Sequence, residues 1–133
     1  MNSAKVMDAY SIIAFLENEP GAERVAELIK QARDRMKDLL LSVVNWGEVY
    51  YAVHRSGGPA AAEDALAVLE TLPIEIVEVD RLQTKAAAKL KAEKKMSYAD
   101  CFAAALAMLR KAELVTGDRE FREVEKEIKI LWL

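Results

Sequence analysis

The sequence has few of the residues that build several common kinds of catalytic or structural site. It contains one cysteine, Cys101, and one histidine, His54, among 133 residues. A single cysteine cannot form an internal disulfide, so the expected setting is reducing and cytoplasmic. A single histidine leaves histidine-based zinc sites and Ser-His or Cys-His catalysis without their parts. Any hydrolytic chemistry in this chain must therefore depend on carboxylates.

Long apolar runs and linkers are also missing. No stretch approaches the roughly 18–20 apolar residues that a membrane-spanning helix requires, and no membrane association is expected. The three prolines and five glycines do not gather into a linker, and there are no internal repeats. Apolar residues make up 53% and charged residues 31%, a balance typical of globular proteins. The composition predicts one domain over residues 1–133.

The alternation of strand-like and helical segments predicts the fold class. Helical segments are recognised by spacing such as that of Val25, Leu28, Ile29 and Ala32, which recur at i, i+3, i+4 and i+7. Such alternation predicts an α/β fold with a mostly parallel central sheet of about five strands and helices on both faces. In sheets of this type the ligand site lies beyond the carboxyl ends of the strands. The strand-like segments are 5–7, 39–41, 74–79, 114–116 and 128–131.

Four acidic residues stand in apolar surroundings. Asp8 and Asp118 follow predicted strands, whereas Glu48 and Asp100 are the lone charges of two long apolar helical segments. A carboxylate in such company cannot stay ionised by itself, because losing its hydration costs several kcal/mol. Each of the four acids therefore needs a cation, hydrogen bonds or a raised pKa.

Helix capping is a purely structural interpretation for three of these acids. Asp8 and Asp118 can act as helix N-caps, each stabilising by about 1 kcal/mol, and Asp100 can belong to a capping box opened by Ser97. Glu48 is harder to explain in this way, because it lies inside its helix with no basic residue within four positions. Four converging carboxylates repel one another unless a divalent cation neutralises them. Oxygen ligands favour Mg²⁺ or Mn²⁺, and such sites serve phosphoryl chemistry.

The segments around the four acids resemble the four motifs of the PIN-domain family. The segments occur in the family's order and span essentially the whole chain, and the compact length is similar to that of the VapC toxins of prokaryotic toxin–antitoxin pairs. The four segments are VMDAYSIIAFL at 6–16, VNWGEV at 44–49, SYADCFAAALA at 97–107 and LVTGDREF at 114–121.

The resemblance implies a Mg²⁺- or Mn²⁺-dependent endoribonuclease that cuts RNA, often transfer or ribosomal RNA in this family. It also implies a homodimer that is inhibited by a cognate antitoxin. Asp8, Glu48 and Asp100 would be the main metal-binding carboxylates, and Asp118 would complete the cluster or orient the attacking water. Thr116 matches the family's usual hydroxyl near the site and would hydrogen-bond a carboxylate or a metal-bound water.

Three further polar residues lie near these motifs. Glu120 follows Asp118 by two positions and is interpreted as an exposed acid in the first turn of a helix, where the helix dipole favours it, rather than as a fifth ligand. Asn45 and Ser42 either support Glu48 through hydrogen bonds or cap the helix that carries it.

The segment 81–95 is strongly basic. It contains six cations and one anion, a net charge of +5 within a chain of net charge −3. Its Lys85, Lys89 and Lys91 are predicted to contact the RNA backbone, although a solvated helix face explains the same charges equally well.

Two other functions compete with the ribonuclease. A signalling receiver domain also has a parallel sheet and Mg²⁺-binding acids at strand ends, but it needs adjacent acids after the first strand, and Asp8 has no acidic neighbour. The second is a non-catalytic PIN-like protein that binds RNA or a partner. The intact set of acids argues against it, since binding alone does not require four mutually repelling carboxylates.

Overall fold

The computed structural model describes residues 4–133, and residues 1–3 of the predicted domain lie outside the described residues. Within the described chain, short strands alternate with helices. The strands are β1 (Lys5–Met7), β2 (Leu39–Ser42), β3 (Ile74–Val77), β4 (Glu113–Thr116) and β5 (Ile130–Trp132). The helices are α1 (Ala9–Leu16), α2 (Ala22–Asp34), α3 (Val43–Gly57), α4 (Pro59–Glu70), α5 (Arg81–Glu93), α6 (Tyr98–Arg110) and a 3₁₀ helix over Arg119–Val124.

The strands form one sheet in the order β3-β2-β1-β4-β5, and every neighbouring pair is parallel. The chain builds outward from β1 through β2 to β3, and then returns to the other side of β1 with β4 and β5. The strand order therefore reverses between β1 and β4, and at such a point the connections leaving the two strands diverge and open a crevice. Receiver domains have the order 2-1-3-4-5 instead, so the topology excludes that alternative.

Helices cover both faces of the sheet, as predicted. Successive side chains of a strand point to opposite faces, so Val6 and Leu114 pack into a core with α5, α6 and the 3₁₀ helix. Met7 and Val115 pack into a second core with α1, α2, α3 and α4. A parallel sheet is buried on both faces, which explains why consecutive residues are apolar in β1 (Val6 and Met7) and in β4 (Leu114 and Val115).

Helix α6 lies deep in its layer. Its residues 101–107 are each 7% exposed or less, and a helix that is apolar on all sides is expected to be buried in this way. Four of its side chains in this stretch are alanines, which allow neighbouring elements to approach closely. The buried body of α6 holds its first turn, including Asp100, at a fixed place beside the sheet.

Several predicted segments have different bounds in the structure. The predicted strand 74–79 ends at Val77, and the predicted strand 39–41 extends to Ser42. The predicted strand 128–131 is instead Ile130–Trp132, because Ile128 is buried in the core beneath the turn that follows the 3₁₀ helix. The basic segment 81–95 is helical only as far as Glu93, and the backbone N–H of Lys95 donates to the side chain of Glu123 at 3.1 Å. No helix in the described part of the chain is long and apolar enough to cross a membrane.

Candidate metal centre

Asp8 lies between β1 and α1 and is 1% exposed. Its Oδ1 accepts a hydrogen bond from the backbone N–H of Ser11 at 2.8 Å, which caps α1. Its Oδ2 accepts a hydrogen bond from the hydroxyl of Thr116 at 2.5 Å. Thr116 is the last residue of β4, so this bond joins the two strands between which the sheet order reverses. The capping interpretation and the site interpretation therefore both apply to Asp8, each through a different oxygen.

Thr116 also positions Asp118. Its hydroxyl oxygen accepts a hydrogen bond from the backbone N–H of Asp118 at 2.9 Å, while the hydroxyl proton is donated to Asp8. The Asp118 side chain in turn accepts from the backbone N–H of Glu120 at 3.0 Å and caps the 3₁₀ helix. One fully buried hydroxyl thus connects the acid that follows β1 with the acid that follows β4.

Glu48 projects from α3 and is held by Asn45, one turn earlier on the same helix. Asn45 is fully buried, and its Nδ2 donates to Glu48 Oε1 at 2.8 Å and to the carbonyl of Ala99 at 3.1 Å. Because Ala99 lies in the first turn of α6, this amide ties α3 to the turn that carries Asp100. Ser42 instead accepts from the backbone of α3 and caps that helix.

The Asn45 side chain leaves one buried acceptor without a partner. The groups that Asn45 contacts, the Glu48 carboxylate and the Ala99 carbonyl, are both acceptors, so Nδ2 faces them. Oδ1 then has no hydrogen-bond partner among residues 4–133. Leaving a buried polar atom unpaired costs about 1–3 kcal/mol, and such atoms call for an explanation in the function of the site.

Asp100 is 8% exposed in the first turn of α6, where Ser97 caps the helix by accepting from the Asp100 backbone N–H at 3.2 Å. Its carboxylate belongs to a group of three: one oxygen from each of Asp100, Asp118 and Glu120 lies within 4.8 Å of the other two. Glu120 is exposed and in the first turn of its helix, as predicted, but the structure also places it in this group. Its Oε1 accepts from the backbone N–H of Ser97 at 3.1 Å, which fixes it beside α6.

The acids shift one another's pKa values, which shows that the fold brings them together. The pKa of Asp100 is raised to about 7 by burial and then by the charges of Asp118, Glu48 and Asp8. The pKa of Asp8 is raised to about 6, mainly by burial, against hydrogen bonds from Thr116 and Ser11 that lower it. Asp118 adds to that rise through its charge.

Glu48 belongs to the same electrostatic group. Burial raises its pKa, the hydrogen bond from Asn45 lowers it, and the charge of Asp118 raises it further. Asp118 therefore acts on all three of the other predicted acids.

Comparison with known proteins agrees with this geometry. The family model of the PIN domain matches residues 5–127. The chain belongs to the PIN-domain family.

Solved structures with the same fold cover nearly the whole PIN domain. This chain is similar to the DNA-bound VapBC of Salmonella typhimurium, with 24% identity over 98% of each chain and a TM-score of 0.74. It is similar to VapBC2 of Rickettsia felis bound to a promoter DNA fragment, with 16% identity, 98% of each chain and a TM-score of 0.74. It is also similar to Mycobacterium tuberculosis VapC20, described as a sarcin-ricin loop cleaving toxin, with 17% identity over 90% of this chain and 93% of that chain and a TM-score of 0.68. No curated protein sequence matches the chain.

The donor chemistry of the PIN-domain site suits a hard divalent cation. Every side-chain donor of the group is a carboxylate oxygen, and oxygen ligands of this kind bind Mg²⁺, Mn²⁺ or Ca²⁺ rather than soft metals. Of the ion pairs that join described residues, none includes Asp8, Glu48, Asp100, Asp118 or Glu120. The chain therefore gathers negative charge here without supplying a basic partner.

The predicted lysines Lys85, Lys89 and Lys91 lie on α5. Lys85 and Lys89 are exposed. Lys91 donates from Nζ to the carbonyl of Met96 at 2.8 Å and so stabilises the connection between α5 and α6. Contact between these three lysines and RNA stays a prediction.

Sequence reasoning missed two contributors to the PIN-domain site. Glu120 reaches the group through Ser97, which lies 23 positions away in the chain, and local pattern carries no signal of that contact. Tyr51 forms a hydrogen bond that lowers the pKa of Glu48, and the Arg55 guanidinium lies 5.3 Å from the centre of its ring. The i, i+3 spacing of Glu48 and Tyr51 on one helix was the available signal.

Proposed function

We propose that this PIN domain is a metal-dependent endoribonuclease that hydrolyses RNA phosphodiester bonds, and that it is the toxin of a VapBC-type toxin–antitoxin pair. One observation carries the proposal. Buried and half-buried carboxylates from four elements converge where the strand order reverses, and no basic side chain of the described residues pairs with them. Their mutual repulsion is best explained by a cation that occupies the centre.

The residues fit Mg²⁺ or Mn²⁺. Asp100, Asp118 and Glu120 would hold the ion, with Asp8 and Glu48 as further carboxylates directly or through water. The bound ion supplies charge stabilisation at the phosphate and a more acidic water as the nucleophile.

The chain's own residues keep the carboxylates in place. Thr116 holds Asp8 and Asp118 through one hydroxyl, Asn45 holds Glu48, and the backbone N–H of Ser97 holds Glu120. Such outer hydrogen bonds orient metal ligands and commonly change metal affinity by about 10–100-fold when they are removed.

The partners follow from the similar structures and belong to the same proposal. VapBC-5 of Mycobacterium tuberculosis is described as a member of the VapBC family of toxin–antitoxin systems, and VapC20 is described as a sarcin-ricin loop cleaving toxin. We propose a cognate antitoxin and an RNA substrate for this chain, together with the homodimer and the cytoplasmic location that the sequence predicts.

The decisive experiment compares two substitutions of the same kind. Asp8→Asn removes a charge from the group, but asparagine is as good an N-cap as aspartate, so α1 keeps its cap. Asp80→Asn is the matched control, because Asp80 caps α5 in the same way from an exposed position. Cleavage of total RNA is measured for both variants and the unmodified protein, freed of antitoxin, with Mg²⁺, with Mn²⁺ and with chelator.

We expect metal-dependent cutting by the unmodified protein and by Asp80→Asn, and none by Asp8→Asn. Thermal unfolding is recorded with and without Mn²⁺ alongside, because a cation that binds only the folded state raises the melting temperature. A folded protein that binds Mn²⁺ but cuts no RNA would support the non-catalytic alternative. Cutting that persists in chelator, or in Asp8→Asn, would overturn the assignment of the site.

A further inference from the structure

The 3₁₀ helix that follows Asp118 has two faces of opposite character. Phe121 and Val124 are fully buried in the core beneath α6. Arg119, Arg122 and Glu125, spaced by three, line an open groove instead. A 3₁₀ helix completes one turn in 3 residues with a rise of about 2 Å each, so Arg119 and Arg122 lie on the same side, about 6 Å apart along its axis.

The carboxyl end of β5 forms the opposite wall of this groove. Trp132 and Leu133 line it, together with Gly117. Trp132 pairs in register with Thr116, and the backbone N–H of Leu133 donates to the Thr116 carbonyl at 2.9 Å. The groove therefore begins one strand away from the hydroxyl that holds the acids, and Gly117 directly precedes one of them.

The groove offers unpaired groups of a particular chemistry. Within residues 4–133, neither Arg119 nor Arg122 forms an ion pair or donates a side-chain hydrogen bond. Other surface cations do find a partner: Lys94, for example, pairs with Glu127 at 2.9 Å. Trp132 is 38% exposed. The groove has a volume of about 570 Å³, and among the described residues that line it Glu125 has the one acidic side chain. Two free guanidinium groups and an aromatic face thus stand beside the carboxylates.

We propose that this groove, lined by Arg119, Arg122 and Trp132, binds a single-stranded segment of RNA next to the bond that is cut. The inference rests on the ribonuclease function proposed above. A guanidinium binds phosphate oxygens through paired hydrogen bonds, and two of them on one helix face can contact successive phosphates. The Trp132 indole supplies a surface on which an unpaired base stacks, and a base inside a duplex is not available for such stacking.

The proposed groove lies elsewhere than the RNA contact predicted for the lysines of the basic segment 81–95. Lys85 and Lys89 lie on α5, which follows β3 at one edge of the sheet, whereas the groove adjoins β5 at the other edge. Only the groove shares a lining residue with the turn that carries Asp118.

Binding is measured with the cleavage-deficient Asp8→Asn protein and a fluorescently labelled single-stranded RNA. The test variant adds Arg119→Gln and Arg122→Gln. The matched control adds Lys30→Gln and Arg110→Gln, which remove the same charge from exposed positions outside the groove. A third variant adds Trp132→Leu, and a fourth adds Lys85→Gln and Lys89→Gln.

We expect the arginine variant to bind at least 10-fold more weakly, with a salt-dependence slope reduced by about 1.4, because each phosphate contact on a single strand contributes about 0.7. Trp132→Leu should weaken binding with the slope unchanged, and an RNA duplex of the same sequence should compete poorly. The charge-matched control should bind like the parent.

Equal losses in the arginine variant and the control would mean that only net charge matters, and would overturn the inference. Loss in the lysine variant alone would place the RNA along α5 and overturn it as well. If the arginine variant binds RNA normally but no longer binds the antitoxin, the groove is a protein interface. Cleavage by the unmodified chain is measured in parallel, so failure of the groove is distinguishable from failure of the ribonuclease function.

Discussion

Asp8 and Asp80 occupy the same local position in two strand–helix units of this protein. Each follows a β-strand, and each accepts a hydrogen bond at 2.8 Å from the backbone N–H three residues on and so caps the next helix. Yet Asp8 is 1% exposed and belongs to the acid group, whereas Asp80 is exposed and stands alone. The capping geometry does not separate these two aspartates.

The position of each strand in the sheet makes the difference. β1 is the central strand next to which the order reverses, so the residue after it faces the residues after β4. β3 lies at the edge of the sheet, and Asp80, three residues past the end of this strand, is exposed to solvent. A capping aspartate therefore becomes part of a candidate metal centre only where the topology brings other acids to it.

The largest effect that this comparison predicts comes from Asp100→Asn. Ser97 caps α6 by accepting from the Asp100 backbone N–H. The carboxylate of Asp100 also makes a side-chain hydrogen bond with Ser97, which the oxygen of an asparagine side chain can still accept, so the substitution should leave α6 intact. Cleavage should fall to the level seen with chelator. Without metal, the variant should be more stable than the parent by about 2–4 kcal/mol above pH 7, because a pKa raised from 3.8 to about 7 penalises the ionised form in the folded state.

The measurements are RNA cleavage and urea unfolding in chelator at pH 8. Asp80→Asn serves as the control and should change neither quantity. An Asp100→Asn protein that is less stable than the parent would mean that Asp100 does not bear the repulsion inferred from the acid group.

The next effect concerns how the metal-free stability of the protein depends on pH. Asp8, with a pKa of about 6, and Asp100, with a pKa of about 7, keep protons in the folded state that the unfolded chain releases near 3.8. The folded state therefore binds more protons between about pH 4 and pH 7, so its metal-free stability should fall as the pH rises through that window.

Urea midpoints measured in chelator at intervals from pH 4 to pH 8 check this dependence. The double variant Asp8→Asn with Asp100→Asn should flatten the profile. A metal-free profile whose stability rises from pH 4 to pH 7 in the parent would contradict the proposed repulsion.

A smaller effect should come from Asn45, which supports the group without belonging to it. Asn45→Leu removes the hydrogen bonds to Glu48 and Ala99 together with the unpaired Oδ1. Affinity for Mn²⁺ should fall by about 10-fold or more. The free energy of unfolding should change little, because the cost of leaving the Glu48 and Ala99 oxygens without this donor is offset by removing the unpaired Oδ1, which carries a similar cost of about 1–3 kcal/mol.

Calorimetric titration with Mn²⁺ and chemical unfolding separate these two outcomes. In a Glu48→Gln background, Asn45→Leu should have little further effect on Mn²⁺ affinity, because Glu48 is the acid through which Asn45 acts. Equal losses of affinity in both backgrounds would mean that Asn45 supports the fold of the site in general rather than Glu48.

The parts of the site that the sequence predicted are those with a local chemical signal. Glu48 and Asp100 were recognisable because each is a lone charge in an apolar helix, and the alternation of strands and helices predicted the parallel sheet. Glu120 was not, because its place depends on the backbone of Ser97, across the site. The groove likewise depends on the 3₁₀ period of three, which brings Arg119 and Arg122 to one side, and on the end of β5, whose position the sequence misplaced by one or two residues.

The smallest predicted effect is the loss of stability when the capping side chain of Asp80 is removed. Asp80→Ala removes an exposed N-cap of α5, so the free energy of unfolding should fall by about 1 kcal/mol, with RNA cleavage and Mn²⁺ affinity unchanged. Asp8→Ala removes an equivalent cap from α1, but it also relieves the repulsion on a buried carboxylate. Its loss of stability in chelator at pH 8 should therefore be smaller than that of Asp80→Ala, even though the residue it replaces is far more buried. Chemical unfolding of the two alanine variants side by side measures this, and a larger loss in Asp8→Ala would show that the bonds of Asp8 to Ser11 and Thr116 outweigh the repulsion from the other acids.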